Sequence, residues 1–224
     1  MVREVTPESE ARAMRERAVR DAKCGVILDA AREVFADRGY HETRLEDIAA
    51  GAGFSKASLY NYFNDKEEIF LSLAVREYGR VVEAIESIIK EDLSFEQSLG
   101  RILREIFSHF GEHFAFVLAT SNYQMIGLMH AEMGKHENLT ESFREELQRV
   151  QKLFEQFIRA ARKSGVVSSP LPDSALARYL GALIRGVLFE WKTSGRMGNI
   201  DTATSEVTSF VRSGMGVREG DRKQ

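Results

Sequence analysis

Between Ser55 and Lys66 the chain sets out side chains able to read the hydrogen-bonding edge of another molecule. They are Lys56, Ala57, Ser58, Tyr60, Asn61 and Tyr62. Leu59 and Phe63 stand four residues apart and would turn inward together on a helix, leaving the other six to face away. Lysine can donate to guanine O6 and N7, and asparagine can pair with adenine through two hydrogen bonds. Alanine or a tyrosine ring can meet the thymine methyl. The tyrosine hydroxyls, Ser58, Thr43 and Lys66 suit phosphates, which fix position without reporting sequence. Backbone N–H groups at helix starts near Arg44 and Lys66 would add to anion binding. The chemistry implied is major-groove recognition of double-stranded DNA by a helix-turn-helix.

A second constellation competes. His109-Phe-Gly-Glu-His113 spells H-x-x-E-H, which on a helix could hold a metal with Glu112 as base. Gly111 weakens the helix at that point, and no third ligand is identifiable. No G-x-S-x-G, P-loop or dinucleotide fingerprint occurs. The expectation is therefore no catalysis, no metal and no cofactor.

Positioning elements follow from caps and periodicity. Repeated 3.6-residue apolar patterns and only three prolines predict an all-α chain of about nine helices. A first helix is expected over Lys23–Arg38, stopped by Gly39. Thr43-Arg-Leu-Glu46 reads as a capping box opening the next helix, with Leu45, Ile48, Ala49 and Ala52 inward. Gly51 and Gly53 flank the turn, and Ser55 caps the reading helix and joins its contact set. Asp65 starts a long helix reaching about Lys90, and Ser94-Phe-Glu-Gln97 forms another capping box. Further helices are expected to Gly134, from Asn138 to Gly165, from Asp173 and from Asp201. The domain reading is a flexible arm over 1–22, a DNA-binding domain over 23–66, an effector and dimerisation domain over 67–213, and a disordered tail over 214–224.

Composition sets limits. The 224 residues carry a net charge of −3 with 29% charged and 43% hydrophobic content, typical of a globular protein. No apolar run approaches the roughly 18 residues of a membrane span. The first twenty residues lack the apolar stretch of a signal peptide. The single cysteine, Cys24, cannot form an internal disulfide, so a cytoplasmic location is expected. Overall charge does not favour a nucleic acid, but Arg12, Arg15, Arg17 and Arg20 form a local basic run.

The segment Ile27–Phe70, ILDAAREVFADRGYHETRLEDIAAGAGFSKASLYNYFNDKEEIF, closely resembles the DNA-binding domain of the TetR family of bacterial repressors. The likeness covers about a fifth of the chain and runs without a gap. It implies backbone contacts from Thr43 and Arg44, and base-proximal positions for Lys56, Ala57 and Ser58. It also places Tyr60, Asn61 and Tyr62 at the groove and Lys66 on a phosphate. Arg44 stands where the family usually has a small hydroxyl residue, Ala57 where glycine is common and Tyr62 where histidine is common.

In the second half, the last two long helices have broad apolar faces, and Gly181 and Gly186 permit close approach. Leu176, Leu180, Leu183, Val187, Val207 and Phe210 are the expected seam of a homodimer, consistent with the four-helix interface the resemblance implies. Phe114, Ser121, Asn122, Met125, Met129 and Phe154 are the expected walls of a site for a small hydrophobic effector. The predicted function is an effector-released repressor binding a palindromic operator as a dimer. The alternative is a DNA-binding or nucleoid-associated protein with no effector.

Overall fold

The computed structural model describes residues 7–112, 136–194 and 197–217. These form eight helices: α1 (Pro7–Glu42), α2 (Leu45–Gly51), α3 (Lys56–Leu59), α4 (Lys66–Lys90), α5 (Phe95–Glu112), α6 (Glu137–Lys163), α7 (Asp173–Thr193) and α8 (Ile200–Met215). No named strand occurs among the described residues, and the all-α expectation holds. No helix among them is long and apolar enough to cross a membrane. Two compact units divide at Leu73 and Ala74, inside α4.

The first unit closes on Ile27, Ala31, Phe35, Ile48, Leu59, Phe63, Ile69 and Phe70, all buried. An aromatic cluster knits its ends together: the Phe70 ring meets Phe35 edge-on at 5.4 Å and Tyr40 at 4.9 Å. Gly39 carries φ 75 and ψ 169 where two helical stretches meet, a conformation that only glycine adopts without strain. It is the expected break, although helix resumes briefly beyond it.

Two expectations about this unit are corrected. Residues 7–22 belong to α1 and are helical from Pro7 onward, where a flexible arm was expected. Proline at a first helical position and acids in the first turn, Glu8 and Glu10, explain the early start. The second concerns Thr43, which does not cap α2. Its hydroxyl donates 2.7 Å back to the Gly39 carbonyl, and the N–H of Arg44, the true cap position, donates 3.3 Å to Asp47.

The second unit has one contiguous core. It takes Val81, Val82, Ile85 and Ile88 from α4, Leu99, Ile102, Leu103, Ile106 and Phe107 from α5, and Phe154, Phe157 and Ile158 from α6. Leu176, Leu180, Ile184, Leu188 and Trp191 of α7 and Val207, Val211 and Met215 of α8 complete it. The capping box at α5 forms in both directions: Ser94 N–H donates 3.0 Å to Gln97, and Gln97 N–H donates 3.3 Å to the Ser94 hydroxyl. Arg162 does more than face the helix dipole. Its guanidinium binds Asp173 at 2.8 Å and the Leu171 carbonyl at 2.7 Å, pinning the SSPLPD loop between α6 and α7. The last helix is capped by Asn199, whose side chain accepts from Thr202 N–H at 2.8 Å.

The expected disordered tail is also corrected over its described part. Gly214 and Met215 finish α8, Val217 pairs with Val167, and Ser169 N–H donates 3.0 Å to the Met215 carbonyl. Residues 218–224 lie outside the described residues.

Candidate nucleic-acid interface and effector cavity

The turn between α2 and α3 is built by backbone geometry. Gly53 has φ 73, and the N–H groups of Gly53 and Phe54 return to the carbonyls of Ala50 and Ala49 at 3.1 and 2.8 Å. That pair of bonds ends a helix sharply, and a side chain at Gly53 would strain it. Ser55 then caps α3 as expected, accepting from Ser58 N–H at 3.1 Å. Leu59 is wholly buried and anchors the short helix from below.

What remains outward is narrower than the sequence suggested. Lys56, Ala57, Tyr60 and Asn61 are exposed, and Arg44 stands exposed at the start of α2. Lys56 forms an ion pair of 2.6 Å with Glu46, which holds its ammonium at one position on the surface. The same bond lifts the Lys56 pKa and depresses that of Glu46. Tyr60 is 46% exposed. Ser58 is half-buried, and its hydroxyl lies 2.8 Å from that of Ser55.

Three expected contacts sit differently. Thr43 is buried, with its hydroxyl engaged as above, so its side chain has no outward surface to offer a phosphate. Tyr62 is half-buried and meets Phe54 edge-on at 5.7 Å, with the Arg20 guanidinium and the Lys23 ammonium 5.4 and 5.9 Å from its ring centre. The helix ends at Leu59, so helical spacing no longer predicts where residue 62 points. Lys66 is the third. Its ammonium donates to the carbonyls of Tyr40, His41 and Thr43 at 2.7, 3.1 and 2.9 Å and lies 4.6 Å from the Tyr40 ring centre. All three of its donors are used within the protein, and burial lowers its pKa despite an opposing contribution from Glu42. Lys66 therefore holds the end of α1, with its ammonium directed at backbone carbonyls.

Sequence reasoning gave too little weight to Arg20, which donates 2.9 Å to the Asn61 carbonyl. The signal was present in the basic run upstream of the first core residue.

In the second unit, an apolar cavity of about 240 Å3 opens between α4, α5, α6 and α7. Tyr78, Val81, Phe110, Phe154 and Ile184 are among its walls, with Gln151 and Arg185 as polar groups. Phe154 was an expected wall. Phe114, Ser121, Asn122, Met125 and Met129 lie outside the described residues. Beside the cavity, Glu77 is 2% exposed and receives Arg76 at 2.9 Å, His109 at 3.0 Å and Arg80 at 3.3 Å. Burial pushes the Glu77 pKa up, but the His109 hydrogen bond and the two arginines outweigh it and hold the group at about 2. His109 is thus directed at a buried carboxylate of α4, and His113 of the H-x-x-E-H pattern lies outside the described residues.

The expected seam also divides. Leu176, Leu180 and Val207 are buried in the core of their own chain. Leu183 and Val187 are half-buried, and Phe210 is 64% exposed. A wide groove between α7 and α8 continues from these residues over Tyr179, Ala182 and Gly186. Tyr179 and Phe189, each 52% exposed, lie on the α7 surface as well.

Residues 27–73 match the family described as bacterial regulatory proteins, tetR family. That segment is a DNA-binding domain of the TetR type. The match spans the whole turn and reading helix just described. Over 173 residues the chain is 25% identical to the fatty acid metabolism regulator protein of Bacillus subtilis, covering 77% of this chain and 83% of that one. It is 38% identical over 97 residues to the transcriptional activator FasR of Mycolicibacterium smegmatis, covering 43% of this chain and 44% of that one. The crystal structure of the regulator FadR from Bacillus subtilis in complex with stearoyl-CoA superposes with a TM-score of 0.69 at 23% identity, over 84% of this chain and 97% of that one. The fold is that of this TetR group, and the protein is a DNA-binding transcriptional regulator. Its relatives are regulators of transcription, not enzymes.

Proposed function

We propose that this TetR-family regulator is a repressor that grips a palindromic operator as a homodimer and releases it when a long-chain fatty acyl group enters the second unit. The observation that carries the effector assignment is the cavity beneath Tyr78, Phe110 and Phe154, apolar in its walls with Arg185 and Gln151 as polar partners. Such a lining suits a hydrocarbon chain ending in a polar or anionic group. The acyl-CoA held by the Bacillus subtilis FadR structure supports the same class.

DNA recognition falls to Lys56, Ala57, Tyr60 and Asn61, with Arg44 on the backbone. One copy offers a very short reading helix, so specificity requires two heads spaced about 34–36 Å apart. The apolar face of Leu183, Val187, Tyr179 and Phe210 is the seam that would hold them so. One helix, α4, carries both a wall of the cavity, at Tyr78 and Val81, and the Lys66 ammonium that fixes the end of α1. Effector binding that shifts α4 would change the spacing of the two heads. The effector then favours the state that does not fit DNA, by a coupling of about 5- to 150-fold.

The test uses the duplex recovered by selection from random sequences with the purified protein. Stearoyl-CoA, palmitoyl-CoA, free stearate and coenzyme A alone are titrated against the complex by fluorescence anisotropy. Release by the acyl compounds but not by coenzyme A is expected. Tight, selective DNA binding indifferent to every acyl compound, together with no thermal stabilisation by them, would instead establish the effector-free reading.

A further inference from the structure

Helix α1 extends well past the part that packs in the first unit. Residues 12–23 are all exposed, while burial begins at Ile27. A helical stretch with no buried face has no core to define its role, so its charge pattern is the informative feature. At about 100° per residue, Arg12, Arg15, Arg20 and Lys23 fall within an arc of about 140°. Glu16 lies in that arc, 2.8 Å from Arg12, and Glu8 lies in it one turn further out. Between Arg12 and Lys23 the arc thus carries four cations and one acid.

Its inner end is tied to the reading surface. Arg20 donates 2.9 Å to the Asn61 carbonyl, and Arg20 and Lys23 stand over the Tyr62 ring. The basic arc therefore begins where the groove-reading residues end. Arg12 lies two turns beyond Arg20, about 12 Å along the helix. Duplex DNA presents a charge about every 1.7 Å of its axis, so a helix lying along it would meet several phosphates over that length.

We infer that the N-terminal extension of α1 is a second DNA-binding element. Arg12 and Arg15 grip phosphates flanking the half-site, and Arg20 and Lys23 join this grip to the reading helix. The inference rests on the operator-binding reading given above. It adds affinity and salt dependence but no sequence discrimination, because phosphates carry no code. It also accounts for a chain of net charge −3 binding DNA: cations are concentrated on one arc.

The experiment compares the selected duplex trimmed to its two half-sites with the same duplex carrying eight additional base pairs on each side. The full-length protein is expected to bind the longer duplex about tenfold more tightly at moderate salt. In Arg12→Ala/Arg15→Ala that gain disappears, and the slope of log affinity against log salt on the longer duplex falls by about two per protomer. Glu16→Ala, which removes the acid in the arc, should strengthen binding to the longer duplex only. Alanine suits an exposed helix, and circular dichroism checks that α1 persists. A double variant that keeps the full gain on the longer duplex overturns the inference while leaving the reading helix untouched. A protein that binds neither duplex overturns the inference and the operator-binding reading together.

Discussion

The ammonium of Lys66 lies 2.7 Å from the carbonyl oxygen of Tyr40, twenty-six residues earlier in the chain. A cation that the family resemblance assigns to a DNA phosphate is bonded here to the carbonyls at the end of α1. Lys66→Ala should lower stability by about 1–3 kcal/mol, because carbonyls holding a charged donor lose it. Operator affinity should fall with it, while the salt slope stays that of the wild type. A slope reduced by one unit in a variant of unchanged melting temperature would restore the phosphate role.

Tyr60 and Asn61 are exposed. Tyr60→Ala and Asn61→Ala should each weaken the selected duplex by about 1–3 kcal/mol. Melting temperatures should stay close to wild type. Equal affinity for selected and random duplexes in the wild-type protein would remove the basis of this assignment.

Lys56 and Glu46 share an exposed ion pair of 2.6 Å, so the pair itself contributes little to folding. Its role is to hold the lysine in place. Glu46→Ala should raise affinity for random DNA, by removing a negative charge near phosphates, while lowering the ratio of specific to non-specific binding. Parallel titrations on selected and scrambled duplexes measure both.

Glu77 contributes a pH dependence to the stability of the second unit. Arg76, Arg80 and His109 face its carboxylate and hold its pKa at about 2, below the usual carboxylate range. A depressed carboxylate contributes stability above its unfolded value, and that contribution is lost as pH falls toward the folded one. Unfolding free energy should therefore decline from about pH 5 to pH 2 by a few kcal/mol attributable to this group. Glu77→Gln, measured by denaturant titration across that range, should be less stable at pH 7 and show a shallower decline.

On the proposed seam, exposure separates two classes of substitution. Phe210→Asp and Tyr179→Asp should shift the protein toward monomer in sedimentation velocity with little loss of protomer stability. Leu180→Ala should destabilise the protomer by about 2–5 kcal/mol, because its side chain fills the chain's own core. A dimer unaffected by Phe210→Asp and Tyr179→Asp would place the seam elsewhere.

The sequence by itself determined the helices of the described regions beyond residue 22, the turn at Gly53, the caps at Ser55 and Ser94 and the inward position of Leu59. Each depends on interactions within about four residues, which sequence spacing reports directly. Tertiary structure alone decided the fates of Tyr62 and Lys66. Their partners lie on segments brought close only by folding, such as α1 over the Tyr62 ring and the Tyr40 carbonyl under Lys66. The same holds for the two last helices, where periodicity marks an apolar face but not which part of it the chain covers with its own core. Leu176 and Leu180 went inward, and Tyr179 and Phe210 were left at the surface. A hydrogen-bond donor or an apolar side chain has one chemistry in the sequence; which partner it meets depends on the packing of distant segments.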